Sequence, residues 1–537
     1  MFDDDDFIEE IRFCIQTKDI IKIKVLLNEI NNVSGKVGQR LLFEISRSEE
    51  SLSVPLLLFI QTHHPGLAQS MPTLNDVLCG KMHTVPDCGS LFSSLESVEE
   101  KCCFIEALCE TSSDEINNFL IGLLRSESQV EVIRSILRTM EEIKSQSFAD
   151  VVADYLYSDD FKLVLQAIET LGRCISSTGI KALVSRAGSD NSLDRKIVNS
   201  LARAGNPEAI EALVNFLASN KSHLRNFARV ALVHLKERSV DALVKVLGHG
   251  NKDFTIIALN ALGETGVPEA VKPIRRFLQN HPEDANVRFS AYESLGLLPV
   301  KAGAYTLTDG LSDEVETVRM AAAKAVDHLF DNMFETGIKN ILSNHENPGQ
   351  IVEAFLIAEC DNVFKTLIFE DTFCELVVAY FTENHSPELL KHYVPIDPTG
   401  ELARIQKLSV AAEPSSDFQV CVVDDSRLLL RIYRKMLDQL EVTYHLFEFA
   451  EAALEFMQEN KPSLLITDLN MPGMDGIELT RQVRGIYEAK DLPIAMVTTQ
   501  DENSDGEEAR TAGVQYYMNK PFKEEMLEAL IAEFKGS

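Results

Sequence analysis

A short apolar motif recurs at nearly constant intervals through the middle of the chain. Its copies begin at residues 180, 210, 240 and 271, so roughly 30 residues separate neighbouring copies. The two central copies, Ile210–Leu217 and Val240–Leu247, share an Ala-Leu-Val core followed by a final Leu. A second apolar-periodic segment precedes each copy, and Pro207 and Pro268 lie in the turns between segments, where proline suits a helix start. This region must therefore fold as stacked helical hairpins, because one such hairpin cannot bury its apolar face alone.

Two further copies, Val287–Gly296 and Val318–Val326, continue the pattern. The segment resembles HEAT-like repeats of the short bacterial type over residues 131–330. Its spacing is shorter than the roughly 34 residues of tetratricopeptide units, and their aromatic positions are missing. Residues 1–130 and 331–393 are predicted to be helical, the first as the start or cap of the solenoid and the second as its C-terminal part.

A solenoid of this type works through the shape of its surface. Phycobilin lyases carry similar repeats, so an enzyme is conceivable. Residues 1–393 contain no recognisable pairing of a nucleophile with a base, and a binding scaffold is therefore the expected role.

The helical pattern stops near residue 394. Residues 394–416 carry Pro and Ser punctuation and are predicted to be a linker, with a brief helix over Leu402–Leu408. Residues 417–537 then alternate between short apolar segments and amphipathic segments. Five strands alternating with five helices predict a doubly wound α/β domain of the flavodoxin-like type, with a parallel sheet. The expected fold class is thus an α-solenoid followed by an α/β domain.

Polar side chains occur where four of the predicted strands end. Asp424 and Asp425 follow the first strand, Asp468 follows the third, Thr498 ends the fourth and Lys520 follows the fifth. Chemistry in such sheets lies at the carboxyl ends of the strands, so these groups should converge. Three close carboxylates repel one another, and a hard divalent cation relieves that conflict. Mg²⁺ is the expected ion, with Mn²⁺ as an alternative. A structural ion cluster is the other interpretation, and four matching strand ends disfavour it.

These residues carry a family resemblance. The segment from Phe418 to Lys535 resembles the receiver domain of response regulators in bacterial two-component signalling. The matching motifs are Val422–Ser426, Ile466–Gly476, Pro493–Thr499 and Ala512–Phe522.

The resemblance implies a role for each site residue. Asp468 would accept a phosphoryl group from the phosphohistidine of a histidine kinase or a histidine phosphotransfer protein. Asp425 and Asp468 would bind Mg²⁺ directly, and Asp424 would act mainly through water. The main-chain carbonyl of Asn470 would be the third protein ligand.

The resemblance also implies a switch. Thr498 and Lys520 would hold the phosphoryl oxygens, and the aromatic ring of Tyr517 would swing inward. That movement would remodel the face made by the fourth helix, the fifth strand and the fifth helix of the domain. The peptide bond before Pro521 is expected to be cis.

Three residues are candidates for tuning the lifetime of the phosphoryl group. Thr499 stands where relatives often carry Ala or Gly, so its branched side chain is expected to narrow access to an acyl phosphate. Asn470 and Gln500 are predicted to act with it.

The composition excludes several classes of function. The chain has 51 Lys and Arg against 83 Asp and Glu, a formal net charge of −32, which argues against nucleic acid as a partner.

No apolar run reaches the roughly 20 residues that span a bilayer. The acidic N-terminus differs from a secretory leader, and the 10 Cys include no Cys-x-x-Cys pair, so a cytoplasmic protein is expected. The pair His63 and His64 is predicted to lie in a solvated loop rather than to bind metal.

The expected function is a response regulator that controls the protein contacts of a HEAT-repeat scaffold. We expect no dedicated enzyme, beyond a phosphoacceptor that assists its own phosphorylation and dephosphorylation. We expect no separate output module, and therefore expect an unidentified protein partner to bind the solenoid or the receiver face. Two alternatives remain open: a phosphate sink localised by the repeats, and a HEAT-repeat lyase-like enzyme with a regulatory receiver.

Overall fold

The computed structural model describes residues 4–28, 35–111, 113–299, 304–384, 386–408, 418–440, 442–498, 502–520 and 524–535. The chain forms two compact units, Met1–Ala209 and Ile210–Ser537.

The regular secondary structure of the first unit is helical in the residues that the structure describes. Its α-helices are α1 (Asp4–Gln16), α2 (Ile20–Asn28), α3 (Gly35–Ser46), α4 (Glu50–His63), α5 (Pro65–Gln69), α6 (Leu74–Met82), α7 (Cys88–Ser93), α8 (Val98–Glu106), α9 (Asp114–Ser126), α10 (Val130–Ile143), α11 (Ala149–Ala153), α12 (Phe161–Cys174), α13 (Ser177–Arg186) and α14 (Asn191–Ala204). Short 3₁₀ helices lie at Gln146–Phe148 and Asp154–Tyr157.

The second unit begins with further helices of the same kind, and α15 (Pro207–Phe216) spans the boundary between the units. They are α16 (Ser222–Leu235), α17 (Glu237–Val246), α18 (Lys252–Glu264), α19 (Val271–Gln279), α20 (Ala285–Leu297), α21 (Ala304–Gly310), α22 (Glu316–His328), α23 (Asn332–Asn344), α24 (Pro348–Ile357), α25 (Asp361–Leu367), α26 (Asp371–Glu383), α27 (Pro387–Tyr393) and α28 (Glu401–Leu408). Short 3₁₀ helices lie at Pro268–Ala270 and Val394–Ile396.

Alternate helices stack on one another, as a solenoid requires. In the second unit α16, α18, α20, α22, α24 and α26 each contact the next member of this row. Gly263 of α18 permits one of these close approaches, because a Cβ there would lie 2.7 Å from the Cα of Ser294 on α20. The Ser294 hydroxyl also donates to the Leu259 carbonyl on α18, at 2.8 Å. The repeat therefore uses a small residue and a hydroxyl to join successive helices.

The same hydroxyl bridge recurs within the first unit. Side chains on α10, α12 and α14 each donate to a main-chain carbonyl of the preceding helix in the row. These bonds join Thr139 to Ile105, Thr170 to Leu137 and Ser200 to Ile168. Each bridging hydroxyl is buried, so the bond also satisfies a polar group inside the core.

The C-terminal part of the second unit is a five-stranded parallel sheet in the order β2-β1-β3-β4-β5. The alternating elements are β1 (Gln419–Val423), α29 (Arg427–Gln439), β2 (Thr443–Phe447), α30 (Ala450–Glu459), β3 (Leu464–Asp468), α31 (Gly476–Arg484), β4 (Ile494–Thr498), α32 (Glu502–Ala512), β5 (Tyr516–Asn519) and α33 (Glu524–Lys535). Alternate strand residues face opposite sides, where α29 and α33 cover one core and α30, α31 and α32 the other.

The predicted fold class is confirmed: helical repeats precede a doubly wound domain with five parallel strands. Helix α28 contacts α26 and α27, although the sequence suggested a linker there. The boundaries 1–130, 131–330, 331–393, 394–416 and 417–537 stay predictions.

The expectation for the histidine pair was wrong in one respect. His63 is the last residue of α4 rather than a loop residue, and its ring stacks on Phe59 with centroids 4.6 Å apart. His63 is nevertheless exposed to solvent, so only the assignment to a loop was wrong. Within the described ranges, no helix has both the length and the apolar character needed to cross a bilayer.

Candidate functional site

Two acidic side chains lie side by side at the carboxyl edge of the sheet. Strands β1 and β3 are neighbours, with Val423 opposite Thr467, so Asp424 and Asp468 leave the sheet next to each other. The order of strands reverses direction at this point, which is where α/β sheets form their ligand sites. Both carboxylates are buried.

Lys520 joins the two carboxylates. Its Nζ lies 2.8 Å from Asp424 Oδ2 and 2.9 Å from Asp468 Oδ1. Its main-chain N–H donates to the Thr498 carbonyl at 2.8 Å, which ties the residue after β5 to the end of β4. Burial alone would lower the pKa of Lys520, but the two carboxylates outweigh it and raise that pKa well above the ordinary value.

The cluster still has more carboxylates than cations. Burial, followed by repulsion from Asp468 and Asp424, raises the pKa of Asp425 to about 8. A divalent cation would relieve this repulsion, and the donors offered here are oxygens, as Mg²⁺ prefers. Across the described segments, no three His, Cys, Asp or Glu side chains are arranged to hold one metal ion. The predicted ligands are two carboxylates, those of Asp425 and Asp468, and the main-chain carbonyl of Asn470. Such a set requires no third side chain, so these donors fit Mg²⁺.

The loop after β3 is held close to Asp468. The Asn470 N–H donates to Asp468 Oδ2 at 3.1 Å. Gly476 begins α31 against the main chain of Asp468, and a Cβ there would overlap the Asp468 carbonyl oxygen. Asp475 caps α31 by accepting from the Glu478 N–H at 2.8 Å. The turn therefore fixes the position of the Asn470 main chain beside the carboxylates.

The remaining predicted residues are partly described. Thr498 is buried at the end of β4. Tyr517 is half-buried on β5, with the Arg510 guanidinium 6.0 Å from its ring centroid. Thr499, Gln500 and Pro521 lie outside the described residues.

The carboxylates open into a cavity of about 350 Å³, and the repeats form its opposite wall. Asp425, Asp468 and Lys520 line one side. The other side comes from α16, α18 and α20, and includes Arg225, Arg229, Asn260, Phe289 and Glu293. Sequence reasoning missed this wall, because nothing in a helical repeat marks which of its faces will meet another domain.

One part of the wall contacts the loop after β3 directly. Three residues at the start of α16 donate to this loop, and we call these bonds the loop contact. They join Ser222 Oγ to Asp475 Oδ2 at 2.7 Å, Arg225 Nη2 to Asn470 Oδ1 at 3.0 Å and Asn226 Nδ2 to the Met471 carbonyl at 3.4 Å.

Helix α20 approaches the other side of the cluster. Ser426 donates to Glu293 Oε1 at 3.1 Å, and burial raises the pKa of Glu293 to about 7. The Asn286 side chain donates to the Lys520 carbonyl. The repeats thus contact residues next to Asp424, Asp468 and Lys520.

A second contact lies on α29, which packs against α22 and α24. Cations on α29 face carboxylates of the repeats, and we call these pairs the ion-pair cluster. They join Arg431 Nε to Glu359 Oε2 at 2.9 Å, Arg434 Nη1 to Glu359 Oε1 at 2.6 Å, and Lys435 Nζ to Glu353 Oε1 at 3.1 Å and to Glu316.

Glu359 is placed by an unusual backbone. Its φ is 51°, in the left-handed region that glycine favours, and its side chain is only 13 % exposed. Burial acts to raise its pKa, but Arg431 and Arg434 outweigh burial and the net pKa lies below the ordinary value. The only advance signal was the spacing of Arg431, Arg434 and Lys435, which puts all three on one face of a helix.

The sheet order, the acidic strand ends and the lysine after β5 define a receiver-type domain. Residues 420–532 match the response regulator receiver domain family, and residues 240–327 match the HEAT repeats family. The chain belongs to the response regulator receiver family, since it covers 92 % of a relative that is 37 % identical.

That relative is the chemotaxis protein CheY of Pseudomonas aeruginosa, matched over 118 residues, or 21 % of this chain. The heme response regulator HssR of Staphylococcus epidermidis is 34 % identical over 102 residues, 19 % of this chain, and the chain spans only 44 % of its length. Among solved structures, the receiver domain of the sensor histidine kinase PA1611 from Pseudomonas aeruginosa is 24 % identical with a TM-score of 0.22. The match covers 23 % of this chain and 100 % of the PA1611 receiver domain. That structure is described with a magnesium ion coordinated in its active-site cleft.

Proposed function

We propose that the protein is a two-component response regulator whose phosphoacceptor is Asp468. A histidine kinase or histidine phosphotransfer protein supplies the phosphoryl group, and phosphorylation controls the protein contacts of the HEAT-repeat scaffold. One observation carries the proposal: Lys520 spans Asp424 and Asp468 at the carboxyl edge of a receiver sheet. That arrangement leaves one carboxylate as acceptor beside a fixed cation.

The proposed chemistry is a transfer between two nucleophiles. A carboxylate oxygen of Asp468 bonds to phosphorus while the phosphorus–nitrogen bond to the donor imidazole breaks, and the imidazole leaves with the electron pair. Lys520 pairs with a phosphoryl oxygen, and the Thr498 hydroxyl donates to another. Magnesium, when bound, offsets the charge on the phosphoryl oxygens. Asp425, Asp468 and the Asn470 carbonyl would hold it directly, with Asp424 acting through water.

The loop contact links this chemistry to the scaffold. Asn470 lies two residues after the proposed acceptor and accepts a hydrogen bond from Arg225 of the repeats. A change in the loop during phosphorylation would alter that bond and its neighbours. The repeats would then sense the state of Asp468 through hydrogen bonds made within one chain.

Phosphorylation is tested with the full chain, Mg²⁺ and a phosphorylated histidine donor protein. We expect a hydroxylamine-sensitive phosphoprotein with the wild type and none with Asp468→Asn. Asp491→Asn is the matched control, because Asp491 is an exposed carboxylate that pairs with Lys461 away from the sheet edge. Equal labelling of Asp468→Asn and the wild type would reject Asp468 as the acceptor.

Control of partners is tested separately. Wild type with Mg²⁺ and beryllofluoride is compared with Asp468→Asn in a capture experiment from native lysate. A partner retained in only one of the two states supports a switch. Identical partners in both states would remove it and leave the phosphate-sink alternative.

A further inference from the structure

The repeats carry an acidic surface that α29 occupies. Glu316 of α22, Glu353 of α24 and Glu359 just after α24 face it, and we call this surface the acidic groove. Its floor is partly apolar, since Ile357, Tyr380 and Leu389 line the gap beside Arg434 and Lys435.

Access to Asp468 conflicts with this occupancy. Helices α16, α18 and α20 form the wall in front of Asp468, and its side chain is 9 % exposed. A phosphohistidine on a folded donor protein must bring its ring to the carboxylate, and the wall fills the space that such a protein needs. Phosphotransfer from a donor protein therefore requires the receiver to leave the repeats. This inference rests on the proposed function of Asp468 as phosphoacceptor.

Release exposes the acidic groove without its cations. Glu359 loses both Arg431 and Arg434, while Glu353 and Glu316 lose Lys435. The three carboxylates then form a like-charged surface that attracts other cations. His392 also favours the ionised form of Glu359, but its ring pairs with Asp361 at 2.8 Å and is shared between the two carboxylates.

We propose that the acidic groove is the binding site for a basic amphipathic helix of a partner protein, and that α29 is its occupant within the chain. The required chemistry is two arginines three positions apart followed at once by a lysine, on one face of a helix. Arginine suits Glu359, because a single carboxylate there accepts from two guanidinium groups. The apolar floor accepts the aliphatic stems of those side chains.

The test uses the full chain and no phosphorylation. The variant Arg431→Glu/Arg434→Glu/Lys435→Glu places like charges against the acidic groove and leaves the groove itself native. The probe is a fluorescein-labelled peptide of residues 427–440 in which the positions facing the receiver core, Leu430, Tyr433 and Leu437, are replaced by Gln. The control peptide carries Glu at 431, 434 and 435. Hydrogen exchange over 222–235 reports whether the receiver has left the repeats.

We expect the basic peptide to bind the triple variant at least tenfold more tightly than the wild type, where α29 competes. Adding Glu359→Gln to the triple variant should weaken that binding about tenfold. Equal binding of the two peptides, equal binding to both proteins or no binding to the triple variant would overturn the proposal. Unchanged hydrogen exchange in the triple variant would overturn it too, because charge would then not govern occupancy. None of these outcomes bears on labelling of Asp468, which tests the proposed function by itself.

Discussion

The receiver meets the repeats at two places with different chemistry. The ion-pair cluster joins charged groups of α29 to carboxylates of the repeats. None of these residues belongs to the predicted metal or phosphoryl site. The loop contact joins α16 to Asn470, Met471 and Asp475, within a few residues of Asp468. The ion-pair cluster contains four pairs in which both partners are charged, whereas each bond of the loop contact has at most one charged partner. We therefore expect the ion-pair cluster to supply most of the affinity. The loop contact is expected to be weaker, and it lies beside the proposed phosphoacceptor. Strength and sensitivity are therefore separated along one interface.

The largest expected effect is a charge reversal in the ion-pair cluster. Glu359→Arg places a cation against Arg431 and Arg434 of α29, and losing one member of a desolvated charge pair costs about 2–5 kcal/mol. We expect receiver docking to weaken at least thirtyfold, measured by hydrogen exchange over α16. The double change Arg431→Glu/Arg434→Glu on that background should restore docking. Glu346→Arg is the control, since Glu346 is exposed on the same stretch of repeats. A docked Glu359→Arg protein would mean that the loop contact holds the receiver.

Glu359→Gly separates docking from folding of the repeats. Glycine tolerates the left-handed φ of 51° without the roughly 1–2 kcal/mol that a side chain costs there. The repeats should keep or gain stability in denaturant unfolding, while docking weakens about tenfold or more. Loss of stability together with docking would show that Glu359 serves the repeats themselves.

Arg225→Ala tests the loop contact. Arg225 donates to Asn470 of the receiver and, at 2.8 Å, to the Ser219 carbonyl of the repeats. A hydrogen bond with one charged partner contributes about 1.5–3 kcal/mol, so docking should weaken about tenfold. The sharper readout is its response to Mg²⁺ with beryllofluoride. We expect this ligand pair to change hydrogen exchange over α16 in the wild type and to do so much less in Arg225→Ala. An unchanged response in the variant would remove Arg225 from the switch.

The smallest effect is that of pH between 7 and 5. The docked pKa of Glu359 lies below its ordinary 4.5, so its carboxylate stays ionised and its contribution to docking should stay constant over this range. Glu293 acts in the opposite direction: burial raises its pKa to about 7, so its protonation should strengthen docking as pH falls from 7 to 5. Docking should decline only as pH falls below about 4.5, where the undocked Glu359 takes up a proton that the docked form resists. Docking that weakens between pH 7 and 5 would contradict this assignment and indicate that another group, such as His392, controls the contact.

The sequence predicted the receiver well because parallel sheets bring strand ends to one edge. Asp424, Asp468 and Lys520 are 96 residues apart at most, yet strand order alone places them together. The repeats were predictable from their period. The interface between them was not, because Glu359 is one of 83 acidic residues and its left-handed backbone leaves no mark in the sequence. The hydroxyl bridges, such as that of Ser294, were also invisible, since a serine in an amphipathic helix looks the same whether it bridges or faces water.

The receiver contacts α16 at one end of its interface and Glu359 at the other, so it reaches across several repeats at once. Each repeat of a solenoid contacts only the neighbouring repeats, so few contacts oppose bending and twisting of such an array. A domain that binds the repeats at two separated places restrains their relative movement, and so restricts changes in the curvature of residues 222–359. Release of the receiver would make residues 222–359 more flexible. Under the proposed function, phosphorylation of Asp468 would therefore change the stiffness of the repeats to which a partner binds.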